Sequence, residues 1–350
     1  MALSKDDIIK EIVEKSYLNA NCEFKHPPTC LEISGQYGKQ IFASLGNFST
    51  ILAPPKVGKT TVTGVLVGGL LTGKNVSNFI PSLPIEKNVV VWIDTEQGSP
   101  ECVKTIRSIC KQISGNETEH PANLIFSSLR KHSKDVRLNA IEYILETTDN
   151  VGFLVIDGVR DLVSSINNEI EATLIADKLL KWSQEYNIHI LTILHQNKGD
   201  DNARGHLGTE LMNKAETVAN LKRGDNNGTR TTIFEPKLTR HKEFEAFAFT
   251  VGDDGIVIQA EIKSKEFEPK NPTVEQLTVE EITDTITATF NKCKNLPYAK
   301  CWEGLQQSLL STHKISFGVV KAKDLLTFLN KNNYIIQNEL TKHYFPNIPH

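Results

Sequence analysis

The most chemically loaded stretch of the chain is Ala53-Pro54-Pro55-Lys56-Val57-Gly58-Lys59-Thr60-Thr61. It follows one apolar run and opens a helix-forming one. A loop that wraps phosphate with its backbone N–H groups needs a glycine where a side chain would collide, and Gly58 stands there. Lys59 then reaches the β and γ oxygens of a triphosphate, and the Thr60 hydroxyl can ligate Mg²⁺. The helix starting at this point adds its positive dipole end. Ala53 occupies the position where a first glycine is usual. Two prolines remove N–H donors while stiffening the loop. These nine residues predict binding of ATP with Mg²⁺.

Three more polar groups close apolar runs. Asp94-Thr95-Glu96 ends VVVWI, at the sheet edge where an α/β fold gathers its ligands. A carboxylate there can orient and deprotonate the water that attacks a γ-phosphate, and Glu96 is the favoured base, with Asp94 the lesser candidate. Asp157 ends VGFLVI and is expected to hold Mg²⁺ with Thr60. His195-Gln196 ends IHILTIL, in position to sense the γ-phosphate and its loss. The glycine-rich segment 199–208 follows as an expected mobile loop. Lys198, Arg204 and His206 are its candidate DNA contacts.

Such residues meet only if the intervening elements bring them to one edge. Short apolar runs at 48–53, 89–93, 124–126, 151–156 and 188–194 have strand length and β-branched content. Helical patterns near 58–72, 99–113, 137–148 and 168–186 separate them. Strands this apolar, alternating with helices, predict an α/β fold: a mostly parallel sheet flanked by helices. From Thr229 onward the pattern changes to antiparallel strands, with a turn at Asp253–Gly255, completing the same sheet.

The ends of the chain have a different character. Ser4 and Asp7 form a capping-box pattern, and Ile8, Ile9, Ile12 and Val13 share one face of a predicted opening helix. That helix could pack on its own core or on a neighbour. Polar, proline-containing sequence at 19–29 reads as linker. The predicted domains are an N-terminal arm and linker (1–45), an ATPase core (46–262), a charged linker (263–278) and a C-terminal domain (279–350). Helices near 279–292, 299–311 and 317–331, then a hairpin-like tail, predict a winged helix. Val319, Leu325, Leu326 and Leu329 are expected to face its core. Lys321, Lys323 and Lys331 are expected outward, where lysines neutralise DNA phosphates, the alternative for such a domain being protein docking.

Charge supports that assignment. The whole chain has a net charge of −3, so no global basic field advertises nucleic acid. Residues 291–350 nevertheless carry eight lysines against Glu303, Asp324 and Glu339. With 39% hydrophobic and 23% charged residues the composition is globular and excludes wholesale disorder. Val62–Leu71, the longest apolar stretch, is too short for a bilayer, and the charged N-terminus lacks a signal core. A cytoplasmic protein without membrane contact is expected. The six cysteines include no CxxC pair; Cys102, Cys110, Cys293 and Cys301 read as buried small residues rather than ligands.

APPKVGKTT, IDTE, FLVID and LHQNKG, followed by RGHLGTEL, together resemble the RecA-like ATPases. Within them they look most like the RepA-type hexameric replicative helicases and related mobile-element ATPases. The resemblance covers roughly residues 45–262 and does not extend to the C-terminal domain. It implies that Lys59 and Thr60 bind phosphates and Mg²⁺, that Glu96 is catalytic and Asp157 the Walker B acid, and that His195 or Gln196 is the γ-phosphate sensor. It also implies a homo-oligomeric ring, a hexamer in the family, with single-stranded DNA in its channel. There a late strand supplies cations to the neighbour's ATP; Lys237 and Arg240 are the candidates, with Arg230 as the alternative. The expected activity is ATP hydrolysis driving a motor or helicase during replication or mobilisation of a genetic element. The alternative is a nucleotide-switched DNA-binding regulator or loader without unwinding. A small-molecule kinase would need an arginine-rich lid, which the sequence lacks.

Overall fold

The computed structural model describes residues 5–196, 203–226, 229–252, 257–260, 262 and 272–347. The chain divides into two compact units, Met1–Ile262 and Lys263–His350. No helix among the described residues is long and apolar enough to cross a membrane.

The first unit runs α1 (Lys5–Ser16), β1 (Thr29–Gly35), β2 (Gly38–Ser44), β3 (Phe48–Ala53), α2 (Lys59–Thr72), β4 (Phe79–Pro81), β5 (Val89–Asp94), α3 (Ser99–Ser114) and β6 (Leu124–Ser128). It continues with α4 (Lys134–Thr147), β7 (Val151–Asp157), α5 (Glu169–Glu185), β8 (His189–His195), α6 (Gly205–Lys214), β9 (Thr217–Asn226), β10 (Thr229–Thr239), β11 (Phe247–Val251) and β12 (Val257–Ala260). One nine-stranded sheet has the order β12-β11-β10-β9-β3-β8-β7-β5-β6. From β6 to β9 neighbouring strands are parallel, and from β9 to β12 they are antiparallel. This is the α/β architecture the sequence predicts. The turn expected at Asp253–Gly255 lies outside the described residues.

Period-2 alternation sorts the strand side chains between two cores. Ile51, Trp92, Val155 and Ile193 join Val62 and Leu66 of α2 and Ile109 of α3 on one face. Leu52, Ile93, Ile156 and Leu194 join α4, α5 and α6 on the other, through Ile141, Leu179 and Leu207. Burial on both faces is why these strands read as continuous apolar runs rather than alternating ones.

The structure departs from expectation in several places. Residues 29–44, expected as linker, are strands: β1 pairs with β2 and with β4 in a small antiparallel sheet. Phe42 lies 5.6 Å from the Phe234 ring of β10, and Phe79 of β4 lies 5.2 Å from it. This aromatic burial fixes the small sheet on the α2 face, which alternation alone could not reveal. The segment expected as a mobile loop through residue 208 turns helical at Gly205, so Arg204 caps α6 and His206 sits in its first turn. Helix α1 forms as expected, but none of its residues is buried.

The second unit contains α7 (Val279–Phe290), α8 (Tyr298–His313), α9 (Val319–Lys331) and the antiparallel pair β13 (Ile335–Gln337) and β14 (Tyr344–Pro346). Thr278 and Glu281 form a reciprocal capping box at the start of α7. Ile282, Ile286, Leu305, Leu309, Leu325, Leu326 and Leu329 make the core. Val274 and Leu277, expected in the linker, are buried in it too. Val319, expected inward, is exposed because it opens the first turn of α9. Lys321 and Lys323 do not extend freely from that helix: their ammonium groups lie 4.5 Å and 5.4 Å from the Phe317 and Trp302 ring centroids. Cys102, Cys110 and Cys301 are buried, whereas Cys293 is exposed.

Candidate active site

The phosphate-loop lysine is placed by a glycine on each side of α2. Gly58 has φ 99° and Gly73 φ 65°, both left-handed, so the helix begins and ends abruptly. Lys59 is the first helical residue and is buried. Its Nζ lies 2.9 Å from His195 Nε2, 3.1 Å from His195 Nδ1 and 3.9 Å from Glu96 Oε2. Glu96 Oε1 in turn lies 3.3 Å from His195 Nε2. Three residues far apart in the sequence thus form one cluster at the carboxyl edge of the parallel strands.

The strand ladder builds the acidic side. Asp94 of β5 and Asp157 of β7 are register partners, so their side chains leave the sheet at the same level. Asp94 Oδ1 accepts the N–H groups of Glu96 (3.0 Å) and Gln97 (2.7 Å), fixing the turn that presents Glu96. The next glycine is obligatory: Gly158 has φ 98°, and a Cβ there would fall 2.3 Å from Thr95 Oγ1 and 2.7 Å from Glu96 Cγ. Thr95 Oγ1 donates to the carbonyl oxygens of Asp157 (3.1 Å) and Gly158 (2.8 Å), locking the two strand ends together.

Burial and neighbouring charges shift the titration of the three acids and of Lys59. Burial pushes the Asp157 carboxyl up to about 7, reinforced by the neighbouring Asp94 and Glu96 carboxylates and opposed by Lys59 and a hydrogen bond with Thr60. Asp94 is raised chiefly by burial. Burial also lowers the Lys59 ammonium, against the opposing pull of Glu96 and Asp157. Glu96 moves the other way: its bond to His195 holds it below the usual carboxylate range, helped by Lys59 and Arg160. Glu96 has the cation Lys59 and the His195 ring beside it, whereas Asp94 and Asp157 crowd one another with little to offset their charge.

The residues present suit a divalent cation. Asp94 Oδ2 and Asp157 Oδ2 are buried with no hydrogen-bond partner. Orphaned carboxylate oxygens in such a place call for a ligand. The Thr60 hydroxyl, bonded by Gln97 Nε2 at 3.1 Å, supplies a third oxygen close by. Gln97 and Asp94 were not assigned these parts from sequence; Asp94 carried a signal, a charged residue closing an apolar strand, and Gln97 carried none.

The remaining expected residues fall elsewhere. Gln196 follows His195, yet alternation turns its side chain to the opposite face, where Nε2 donates to Asn220 Oδ1 at 3.0 Å. Only its backbone stays at the edge, donating to Ala53 O at 3.2 Å. Within the loop Val57 is buried, Pro55, Lys56 and Thr61 are exposed, and Val57 O accepts Thr232 Oγ1 at 3.4 Å. Arg240 belongs to the other end of the sheet, since Thr239 pairs with Thr217 while Val218 is level with Thr50 of β3, and Lys237 falls at mid-strand between the Thr50 and Ile51 levels. Arg240 Nη2 donates to Lys214 O at 2.9 Å. The Lys198 position and the Arg230 side chain lie outside the described residues.

Residues 36–201 match the model of a family described as AAA domain, a span that includes the phosphate loop, both aspartates, Glu96 and His195. No curated protein matches the chain. The family match and the geometry agree, and this segment is a P-loop nucleotide-binding domain of the ATPase kind, similar to the AAA family.

Proposed function

We propose that the protein is an ATP-hydrolysing RecA-like motor acting on DNA during replication or mobilisation of a genetic element, working as a homo-oligomeric ring. The observation that carries this reading is the meeting of Lys59, Glu96, Asp157 and His195 at one sheet edge. Glu96, kept anionic, takes the proton of the attacking water. Thr60 and Asp157 hold Mg²⁺, with Asp94 beside them, and Mg²⁺ when bound neutralises charge on the triphosphate. Lys59 leaves His195 for the phosphate oxygens, and His195, freed from the lysine, senses the terminal phosphate. Because Lys237 and Arg240 lie away from their own site, they are suited to serve a neighbour's ATP. We take the second unit as a winged helix whose lysine excess reaches DNA phosphates.

Light scattering with and without a non-hydrolysable ATP analogue and single-stranded DNA tests the reading, alongside phosphate release. Assembly, and hydrolysis stimulated by single strands, are expected; an unchanged monomer under every condition removes the motor. The concentration of positive charge in residues 291–350, within the second compact unit, favours a second reading. In it, nucleotide binding switches a duplex-binding regulator or loader. That reading gains if nucleotide binds tightly, duplex affinity resides in the second unit and no strands separate.

A further inference from the structure

The strand end that touches Lys59 also begins a polar chain leading away from it. Gln196 is 7% exposed and its amide Nε2 donates to Asn220 Oδ1. Asn220, 4% exposed, passes the contact on: its Nδ2 donates to Glu235 Oε1 at 3.4 Å, and that oxygen also meets Lys222 Nζ at 2.7 Å. Asn220 and Glu235 are register partners on β9 and β10, so the amide and the carboxylate face each other across the hairpin. On the opposite face of that hairpin, Thr232 reaches the phosphate loop at Val57 O.

We propose that Asn220 is a positioning residue that, through Gln196, makes the β9–β10 hairpin respond to nucleotide held at Lys59. The proposal rests on the nucleotide-binding reading of the site. Phosphate oxygens that draw Lys59 away release the His195 ring, and residues 195 and 196 share one peptide plane. A backbone adjustment at His195 that follows the release of its ring therefore carries the start of Gln196 with it. The Gln196 side chain is enclosed, and breaking its bond leaves a buried amide without a partner. The displacement is instead carried through Asn220 to Glu235 and Lys222. The route is physical, a run of bonded groups with a shared strand end, rather than mere proximity.

Hydrogen exchange of the amides in 217–239 tests this in the full chain, with Mg²⁺ alone and with Mg²⁺ plus a non-hydrolysable ATP analogue. Binding is followed separately with a fluorescent ATP analogue. In the parent protein the analogue is expected to change exchange across β9 and β10. Asn220→Leu, close in size but unable to bond, is expected to bind the analogue and lose that change. Glu235→Gln keeps an oxygen for Asn220 and is expected to retain it. Should Asn220→Leu not fold, Asn220→Asp, which cannot donate to Glu235, is expected to lose the change instead. A parent that binds the analogue without any exchange change in these strands overturns the proposal. So does Asn220→Leu or, in its place, Asn220→Asp keeping the full change, or Glu235→Gln losing it. A parent that binds no nucleotide fails at the earlier step and sinks the reading beneath it.

Discussion

The two ends of the parallel sheet both bury acids, and they treat them in opposite ways. At the carboxyl end, Asp94 and Asp157 each keep one oxygen without a hydrogen bond, and both carboxyls are raised. At the amino end, where Glu216 N donates to Phe48 O of β3, the Glu216 carboxylate is 3% exposed and fully engaged. Its Oε2 accepts Ser44 N at 2.9 Å, while Oε1 accepts the Ser44 hydroxyl and lies 2.8 Å from His241 Nε2. His189 beside it is fully buried; its Nδ1 bonds Ser44 O at 2.9 Å, its Nε2 has no hydrogen-bond partner, and burial lowers its basicity. The Glu216 carboxylate is satisfied by the chain itself, stapling β2 to the sheet. At the other end, one oxygen of each aspartate has no hydrogen-bond partner from the chain. A buried charge thus marks function only when its bonds are left unmade.

Substitutions at the two ends should separate these roles. The largest effect is expected from Lys59→Ala, a loss of ATP hydrolysis by about 10² to 10³-fold, read as phosphate release, with little change in urea midpoint. Retained turnover would contradict the assignment of this end to catalysis. Glu216→Ala should do the reverse. It strips Ser44 and His241 of their acceptor, costs about 3 kcal/mol in urea unfolding, and leaves turnover per folded molecule unaltered. A cost below about 1 kcal/mol would show that the amino-end cluster is no staple.

Asp157→Asn tests the strained side by pH. The folded carboxyl keeps its proton to about 7, whereas the unfolded one releases it near the ordinary value of about 3.9. Between those limits the folded state binds more protons, so stability falls as pH rises through the window and is level above it. The asparagine variant should lack that slope and, without nucleotide, be more stable at pH 8 by about 2 kcal/mol, seen in thermal or urea unfolding. An equal slope in both proteins would argue against a strained Asp157. The smallest effect is expected from Ser44→Ala, which removes one of the Glu216 bonds and should cost about 1 kcal/mol.

The carboxyl end of the sheet is legible in the sequence because its parts obey strong local rules. A phosphate loop needs its glycine and lysine in fixed order, and charged residues closing apolar strands are rare enough to stand out. Glu96, Asp157 and His195 were found that way. Gln196 was grouped with His195 by adjacency, although a period of two separates neighbours onto opposite faces. The amino-end staple left no such trace. Ser44 and His189 come from β2 and β8, Glu216 and His241 from the connections before β9 and after β10, and each alone reads as an ordinary polar residue. The β1–β2 hairpin escaped because its short strands are held by phenylalanines from β4 and β10, contacts that only tertiary packing creates. Lys321 and Lys323 read from sequence as outward lysines for DNA phosphates, and nothing in their spacing tells that Phe317 and Trp302 lie beneath them.

The pairing of Asp94 with Asp157 across two neighbouring strands has an engineering corollary. Their separation is set by the spacing of a β-ladder, about 4.8 Å, and not by any loop. Loops 115–123 and 148–150 could be rewritten in length and composition while this pair of acids kept its distance. A single-residue slip of one strand past the other, by contrast, would send one aspartate to the far face and dismantle the pair at a stroke.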